Sequence, residues 1–215
     1  MKDLGLSAIS GPVQHLIRFF HNRAHINLVT SLPMLERAQS VGIKNVELWP
    51  KAVDTELYRP QRKTADMRIR LTDGNPDAPL MMFVGRLSKE KNLKFLYPVM
   101  EKLRTIVPGA RLAFVGGGPN EDALQEKFPR EWCTFMGYMR GEELASAFAS
   151  ADVFLFPSKT ETLGLVALEA MASGIPVVGA RAGGIPFTVV DGETGFLATP
   201  DATDEWVTRI RAAYE

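Results

Sequence analysis

SKTETLGLVALEAMASGIPVV, residues 158–178, decides the fold. Its middle, Gly164–Ser173, reads as a helix that is apolar almost all the way round, and such a helix is buried. It runs into IPVVGA (175–180), a strand in which Pro176 is tolerable because it stands at the start. Ahead of it lies DVFLFPS (152–158), another continuous apolar strand. Strands without alternation are covered on both faces, as in parallel sheets whose connections are helices. Two carboxylates interrupt the pattern: Glu169 inside the apolar helix and Glu161 just before it.

The same rhythm extends in both directions. HINLVTS (25–31) and NVELWP (45–50) read as strands with LPMLERAQSVG (32–42) as the helix between them. After KAVDTELYRPQRKTADMRIRLTDGNPDAP (51–79), a polar stretch read as a linker with a short helix near Ala65–Leu71, the alternation strengthens. LMMFVG (80–85), ARLAFVG (110–116), WCTFMG (132–137) and GFLAT (195–199) are further strands. NLKFLYPVMEKLRTIV (92–107) is a helix that Pro98 kinks or restarts, and EDALQEKF (121–128) and GEELASAFASA (141–151) are helices. ATDEWVTRIRAAY (202–214) closes the chain. The predicted class is α/β, a Rossmann-like, doubly wound parallel sheet. Such sheets bind ligands at the carboxyl ends of their strands, so the loops at 85–91, 116–120, 137–141, 157–164 and 180–186 are the ones to search.

The totals exclude several function classes. Lys plus Arg and Asp plus Glu number 25 each, so no net basic field draws in nucleic acid. The lone Cys133, in an apolar run, reads as a buried inert thiol and forbids an internal disulfide. No apolar run reaches the ~20 residues of a membrane span. MKDLGLSAISGPVQ (1–14) lacks a signal peptide's apolar core and a transit peptide's Arg/Ser-rich, acid-poor character. His15, His21 and His25 have no Cys or carboxylate at ligand spacing, so no metal site is expected. Leu16, Ile17, Phe19 and Phe20 beside Arg18 and Arg23 form an amphipathic segment that either touches a membrane surface or packs on its own domain.

A buried charge is costly unless paired or hydrogen-bonded. Glu169 therefore either meets a buried Arg, Lys or backbone group, or accepts hydrogen bonds from ligand hydroxyls such as those of a ribose. The free N–H groups around Leu163, Gly164, Leu165 and Val166 suit a phosphate, and Glu161 stands at the lip of the same pocket. In VGRLSKEKN (84–92), Arg86 and Lys91 are either solvated cations or a diphosphate clamp, Arg86 bidentate and Lys91 a point charge. The clamp and the glutamate helix complement each other, and together they suggest a nucleotide sugar. VGGGP (115–119) and RAGGIP (181–186) are either phosphate loops or tight connections. In GYMRGEE (137–143) the backbone around Met139 is free to meet a nucleobase edge, with Leu144 able to pack on its face.

These motifs together resemble the retaining GT-B glycosyltransferases of family 4. The likeness rests on Gly85-Arg86-Leu87…Lys91-Asn92, on Glu161 and Glu169 with seven residues between them, on Ala170–Val178, and on DGETGFL (191–197). A narrower likeness, to plant and cyanobacterial sulfoquinovosyltransferases, rests on LWPKAVDTELYRP, MRIRLTDGNPDAPL, SKTETLGLVALEAMASGIPVV and ARAGGIP. Glu161-Thr162-Leu163-Gly164 follows that branch, and Lys51-Ala52-Val53-Asp54 departs from its Lys-Gly-Val-Asp habit. The resemblance implies a GT-B fold, with 1–50 ending an N-terminal acceptor domain, 51–79 linking, and 80–215 forming a C-terminal nucleotide-sugar domain truncated at its end. The chain is thus expected to be a fragment. The implied activity moves sulfoquinovose from UDP-sulfoquinovose to diacylglycerol without metal or other cofactor, at a chloroplast thylakoid or envelope surface. Outside that branch, a cytoplasmic, membrane-peripheral location is implied. Arg86, Lys91 and Glu161 would be catalytic. Gly85, Arg86, Lys91, Met139, Leu144, Glu161, Leu163, Gly164, Leu165, Val166 and Glu169 would bind the donor. The alternatives are another family-4 glucosyl-, galactosyl- or mannosyltransferase, a UDP-sugar epimerase on the same fold, or an inactive nucleotide-sugar-binding module.

Overall fold

The computed structural model describes residues 11–49 and 52–215. The first ten residues, which open the stretch read for a targeting signal, and Lys51 of the departing motif lie outside them. The chain forms two compact units, divided between Lys51 and Ala52.

The first unit holds α1 (Gly11–His21), β1 (Asn27–Val29), α2 (Leu32–Ser40) and β2 (Val46–Leu48). β1 and β2 are parallel, with Asn27 opposite Val46 and Val29 opposite Leu48, so β1, α2 and β2 make a βαβ turn. Asn27 is buried and fully used: its amide nitrogen donates to the carbonyls of His21 and Lys44, and its Oδ1 lies 2.6 Å from His21 Nδ1. His21 thus serves the packing of this unit. Among the described residues no three His, Cys, Asp or Glu gather as a metal would require, and no helix is long and apolar enough to cross a membrane.

The second unit follows with α3 (Ala65–Leu71), β3 (Leu80–Val84), α4 (Leu96–Ile106), β4 (Arg111–Val115), α5 (Glu121–Gln125), β5 (Cys133–Phe135) and α6 (Gly141–Ala149). It ends with β6 (Val153–Phe156), α7 (Leu165–Ala172), β7 (Val177–Ala180), β8 (Gly195–Ala198) and α8 (Thr203–Tyr214). One six-stranded, wholly parallel sheet results, in the order β5-β4-β3-β6-β7-β8. β4, β6 and β7 are buried at every residue and β3 at all but its last, and side chains with no wet face need helices on both sides. Two helix groups provide them: α4 packs on α8, which lies along β6, β7 and β8, while α6 packs on α3 and α7, with α7 against β6 and β7. The α/β, doubly wound reading holds. Of the two effects expected of Pro98, the structure shows a restart rather than a kink. A short 3₁₀ turn at Leu93–Phe95 precedes α4, and Pro98 falls in the first turn of α4, where its missing N–H has no intrahelical partner to lose.

The polar stretch 51–79 is not strung loosely ahead of the sheet. From Ala52 onward it belongs to the second unit, and it inserts Tyr58, Met67 and Leu71 into the core. Its overall polarity conceals these three anchors. Thr64 caps α3 by accepting from the Met67 N–H. Arg68 then fastens α3 to the sheet. Its guanidinium donates to both oxygens of Asp152 (2.7 and 3.1 Å) and to the carbonyls of Ser150, Ala78 and Pro76. Asp152 Oδ2 also accepts from the Leu80 N–H at 2.8 Å. The side chains are 11% and 23% exposed, so the pair is largely withdrawn from water. Arg68→Met would strand Asp152 and three carbonyls at once. We expect it to cost about 3 kcal/mol, the lower end for breaking a buried pair, measured by urea denaturation; a loss of only a few tenths would show that the pair is solvated.

Candidate donor-binding site

The chain grows outward from β3 in one direction through β4 and β5, then returns to place β6 on the other side of β3. The carboxyl ends of β3 and β6 therefore diverge at a topological switch point, where open α/β sheets have their crevice. A cavity of about 420 Å³ lies there. It is lined from β3 and its loop by Gly85, Arg86 and Lys91, and from the β6–α7 loop and helix by Glu161, Leu163, Gly164, Leu165, Val166 and Glu169. Nine of the sequence-selected residues thus meet in one place. Arg86 also lines a neighbouring cavity of about 530 Å³, with Met139, Tyr138, Gly116 and Gly118. Leu144 lines neither; it sits on α6 and packs against the core. Tyr138, beside Met139 in the GYM run and 73% exposed, was not selected from the sequence, and only its position in that loop could have signalled it.

The two loops that carry charge touch directly. Lys91 Nζ lies 2.8 Å from Glu161 Oε2, both side chains mostly withdrawn from solvent. Glu161 Oε1 accepts the N–H groups of Thr162 (3.1 Å) and Gly164 (3.4 Å) just ahead of α7. Burial disfavours the Glu161 charge, but the Lys91 hydrogen bond and charge, with the two amides, outweigh it and hold this carboxyl below its ordinary range. Glu169 is the opposite case. Burial dominates, only the Tyr58 hydroxyl opposes it, and its carboxyl is held above the ordinary value. The polar group near Glu169 is the Tyr58 hydroxyl of the polar stretch, not the Arg, Lys or backbone group considered from sequence. Asp201 is a further unanticipated support: it accepts from Asn92 Nδ2 at 3.0 Å and pairs with Lys159, tying the Lys91 turn to the loop that carries Glu161. No motif marks it in the sequence.

The glycine turns hold the loops together. Gly116 has φ +123°, and a Cβ there would fall 2.1 Å from the Gly85 carbonyl oxygen; one on Gly118 would fall 2.5 Å from that of Leu87. The Leu87 N–H donates to Gly117 and the Asn120 N–H to Leu87. VGGGP is thus a close backbone seam against the Gly85–Leu87 loop. At RAGGIP, a Cβ on Gly184 would sit 2.3 Å from the Thr162 carbonyl oxygen and one on Gly183 2.7 Å from that of Glu161, while the Gly184 N–H donates to Glu161 at 2.6 Å. This turn backs the glutamate loop.

Residues 78–215 match the family described as Glycosyl transferases group 1. The chain belongs to this family. Among curated relatives, it is 45% identical to the sulfoquinovosyl transferase SQD2 of Arabidopsis thaliana over 93% of this chain and 40% of that protein. It is 31% identical to a GDP-mannose-dependent alpha-mannosyltransferase of Corynebacterium glutamicum over 89% of this chain and 46% of that protein. Its fold superposes on sucrose-phosphate synthase from Thermosynechococcus elongatus with a TM-score of 0.75 at 29% identity, covering 93% of this chain and 51% of that one. For Anabaena HepE in complex with UDP the TM-score is 0.80 at 23% identity, covering 97% and 59%. The chain thus spans about half the length of the relatives it matches, and less of SQD2.

The two glutamates should act oppositely on stability. Glu161, held low when folded, contributes stability that is present above the unfolded carboxylate pKa of about 4.3 and is lost as pH falls through its lower folded value. Glu169, held high, contributes below that value and loses the contribution as pH rises through its raised folded value. At about pH 7, therefore, Glu161→Gln should lower the unfolding free energy and Glu169→Gln should raise it, both differences shrinking toward about pH 3. Urea denaturation at the two pH values measures this; shifts of the same sign at neutral pH would contradict the assignment.

Proposed function

We propose that this chain is the donor-binding part of a retaining glycosyltransferase that moves sulfoquinovose from UDP-sulfoquinovose to diacylglycerol. One observation carries the donor site: two cations from the loop after β3 and two carboxylates from the loop and helix after β6 converge on one cavity at the switch point. The 45% identity to a sulfoquinovosyl transferase supports the choice of sugar. In this reading Glu169 accepts the ribose hydroxyls and Glu161 the hydroxyls of the donor sugar. Arg86 and Lys91 neutralise the departing diphosphate, and the amides opening α7 add their partial positive charge. The bond from the sugar's anomeric carbon to the diphosphate breaks as the acceptor oxygen forms its own bond on the same face, the acceptor's hydroxyl proton passing to the departing diphosphate oxygen, so configuration is retained. Because Arg86 and Lys91 supply the positive charge, the proposed reaction calls for no metal.

The first unit is read as the end of an acceptor domain. A chloroplast thylakoid or envelope location, sulfolipid synthesis and peripheral membrane attachment belong to the same proposal. Leu16 and Phe20, exposed on α1 beside Arg18 and Arg23, are the feature that speaks for a lipid surface. A second reading has a specific basis, since the relatives include GDP-mannose-dependent mannosyltransferases at 31–39% identity. Under it the same site takes a guanosine donor.

Calorimetric titration of the chain with UDP, UDP-glucose, UDP-sulfoquinovose and GDP-mannose tests both. We expect UDP to bind, UDP-sulfoquinovose to be preferred, and Lys91→Ala to weaken binding about tenfold or more, the scale of a lost hydrogen bond to a charged group. Preference for GDP-mannose would select the second reading, and a folded chain binding no nucleotide would overturn the donor site.

A further inference from the structure

The Glu161 carboxylate holds the very groups that a phosphate would use. Its Oε2 accepts from Lys91 Nζ at 2.8 Å, and its Oε1 accepts the N–H groups of Thr162 and Gly164 at 3.1 and 3.4 Å. An ammonium and the amides at the start of a helix are common partners of phosphate oxygens. Here an internal carboxylate takes them, at the cavity that Arg86 also lines. Nearby carboxylates are committed elsewhere: Glu90 accepts from Ser88 Oγ at 2.6 Å, and Asp201 pairs with Lys159. The backbone on each side of the pair is tied down. The Gly184 N–H donates to the Glu161 carbonyl at 2.6 Å, with Gly183 packed against the same carbonyl. The Lys91 turn ends in Asn92 at φ +57°, whose Nδ2 donates to Asp201 at 3.0 Å. Rearrangement of the pair is therefore a matter of two side chains rotating on fixed anchors.

We propose that Glu161 is an exchangeable placeholder in the donor site. It holds Lys91 and the amides ahead of α7 until the diphosphate of a nucleotide sugar displaces it, and it then turns to the hydroxyls of the sugar. After transfer it returns to Lys91 and expels the nucleoside diphosphate. The proposal deepens the donor reading and rests on it. Lys91 has three N–H groups and can reach two anions, but a carboxylate and a diphosphate sharing one lysine repel each other. The Lys91 and Glu161 side chains are 24% and 16% exposed, so water and salt screen that repulsion poorly. A nucleotide sugar relieves it by offering hydroxyls that donate to the released carboxylate. A nucleoside diphosphate has no sugar at that place, and its binding leaves Glu161 without a partner beside a second anion. The exchange thus favours the donor over the product nucleotide, and product release benefits. A ligand that displaces an internal competitor has its affinity reduced by the fraction of molecules in which the site is open.

Calorimetric titration of the 215-residue chain with UDP and with UDP-sulfoquinovose, as wild type, Glu161→Gln and Lys91→Ala, tests this. A cooperative thermal transition first shows that each variant is folded; should Glu161→Gln fail to fold, Glu161→Ala carries the same test. Gln fills the same space without the charge, so Glu161→Gln should bind UDP about tenfold more tightly. In stopped flow it should release UDP more slowly by a similar factor. UDP-sulfoquinovose should gain nothing or lose affinity, because a neutral amide accepts from sugar hydroxyls less strongly than a carboxylate. The wild-type preference for the nucleotide sugar over UDP should therefore fall about tenfold. If Glu161→Gln binds UDP no more tightly than wild type while Lys91→Ala binds it more weakly, Glu161 serves to order Lys91, and the proposal falls with the donor site intact. Equal gains for UDP and UDP-sulfoquinovose would also overturn it, because they reduce the effect to the loss of one negative charge. If wild type and both variants are folded and bind no UDP, the donor reading itself falls, and this proposal with it.

Discussion

The pairing of β3 with β6 is the constraint on which the site depends. Met81 faces Val153 and Met82 faces Phe154 across two strands that are not neighbours in sequence. Because the strands run parallel, whatever follows each emerges at the same edge. That places Lys91 and Glu161, 70 residues apart, at a 2.8 Å contact. The opposite edge carries the matching lock. Asp152, just before β6, accepts from the backbone of Leu80, the first residue of β3, and is itself gripped by Arg68. One ion pair secures the strand pair where it begins; another marks where its loops meet.

The two carboxylates of the crevice show how environment divides roles between chemically identical side chains. Glu161 lies in front of α7 with a lysine and two amides, so its charge is welcome. Glu169 lies inside α7 among apolar neighbours, where burial outweighs the one phenol nearby. A charge kept in an unfavourable place at the expense of stability is characteristic of functional sites.

Much of the fold was legible because its signal is local. Continuous apolar runs such as Val153–Phe156 and Val177–Ala180 can only be doubly covered strands, and α3 stood out at Ala65–Leu71 even inside polar surroundings. The clustering of Arg86, Lys91, Glu161 and Glu169 followed from one rule, that ligands gather after strand ends. What sequence did not disclose was long-range. Tyr58 enters the core from the polar stretch, Asp201 joins two loops through Asn92 and Lys159, and Leu144 turned to the core because its helix packs there. No periodicity encodes such contacts. The glycine runs were ambiguous for a related reason: what requires a glycine is often the neighbouring backbone, as with Gly85 against Gly116.

The turn at Gly183 and Gly184 has a consequence for how this protein can diverge. Its glycines lie against the carbonyls of Glu161 and Thr162 with no room for even one methyl group. Any side chain there displaces the backbone of the glutamate loop, and the carboxylate moves with it. A lineage could therefore exchange many residues around the crevice to suit a new sugar while these two positions stay closed to change. They act as a fixed mould, and variation in specificity has to be written on the surfaces it leaves free.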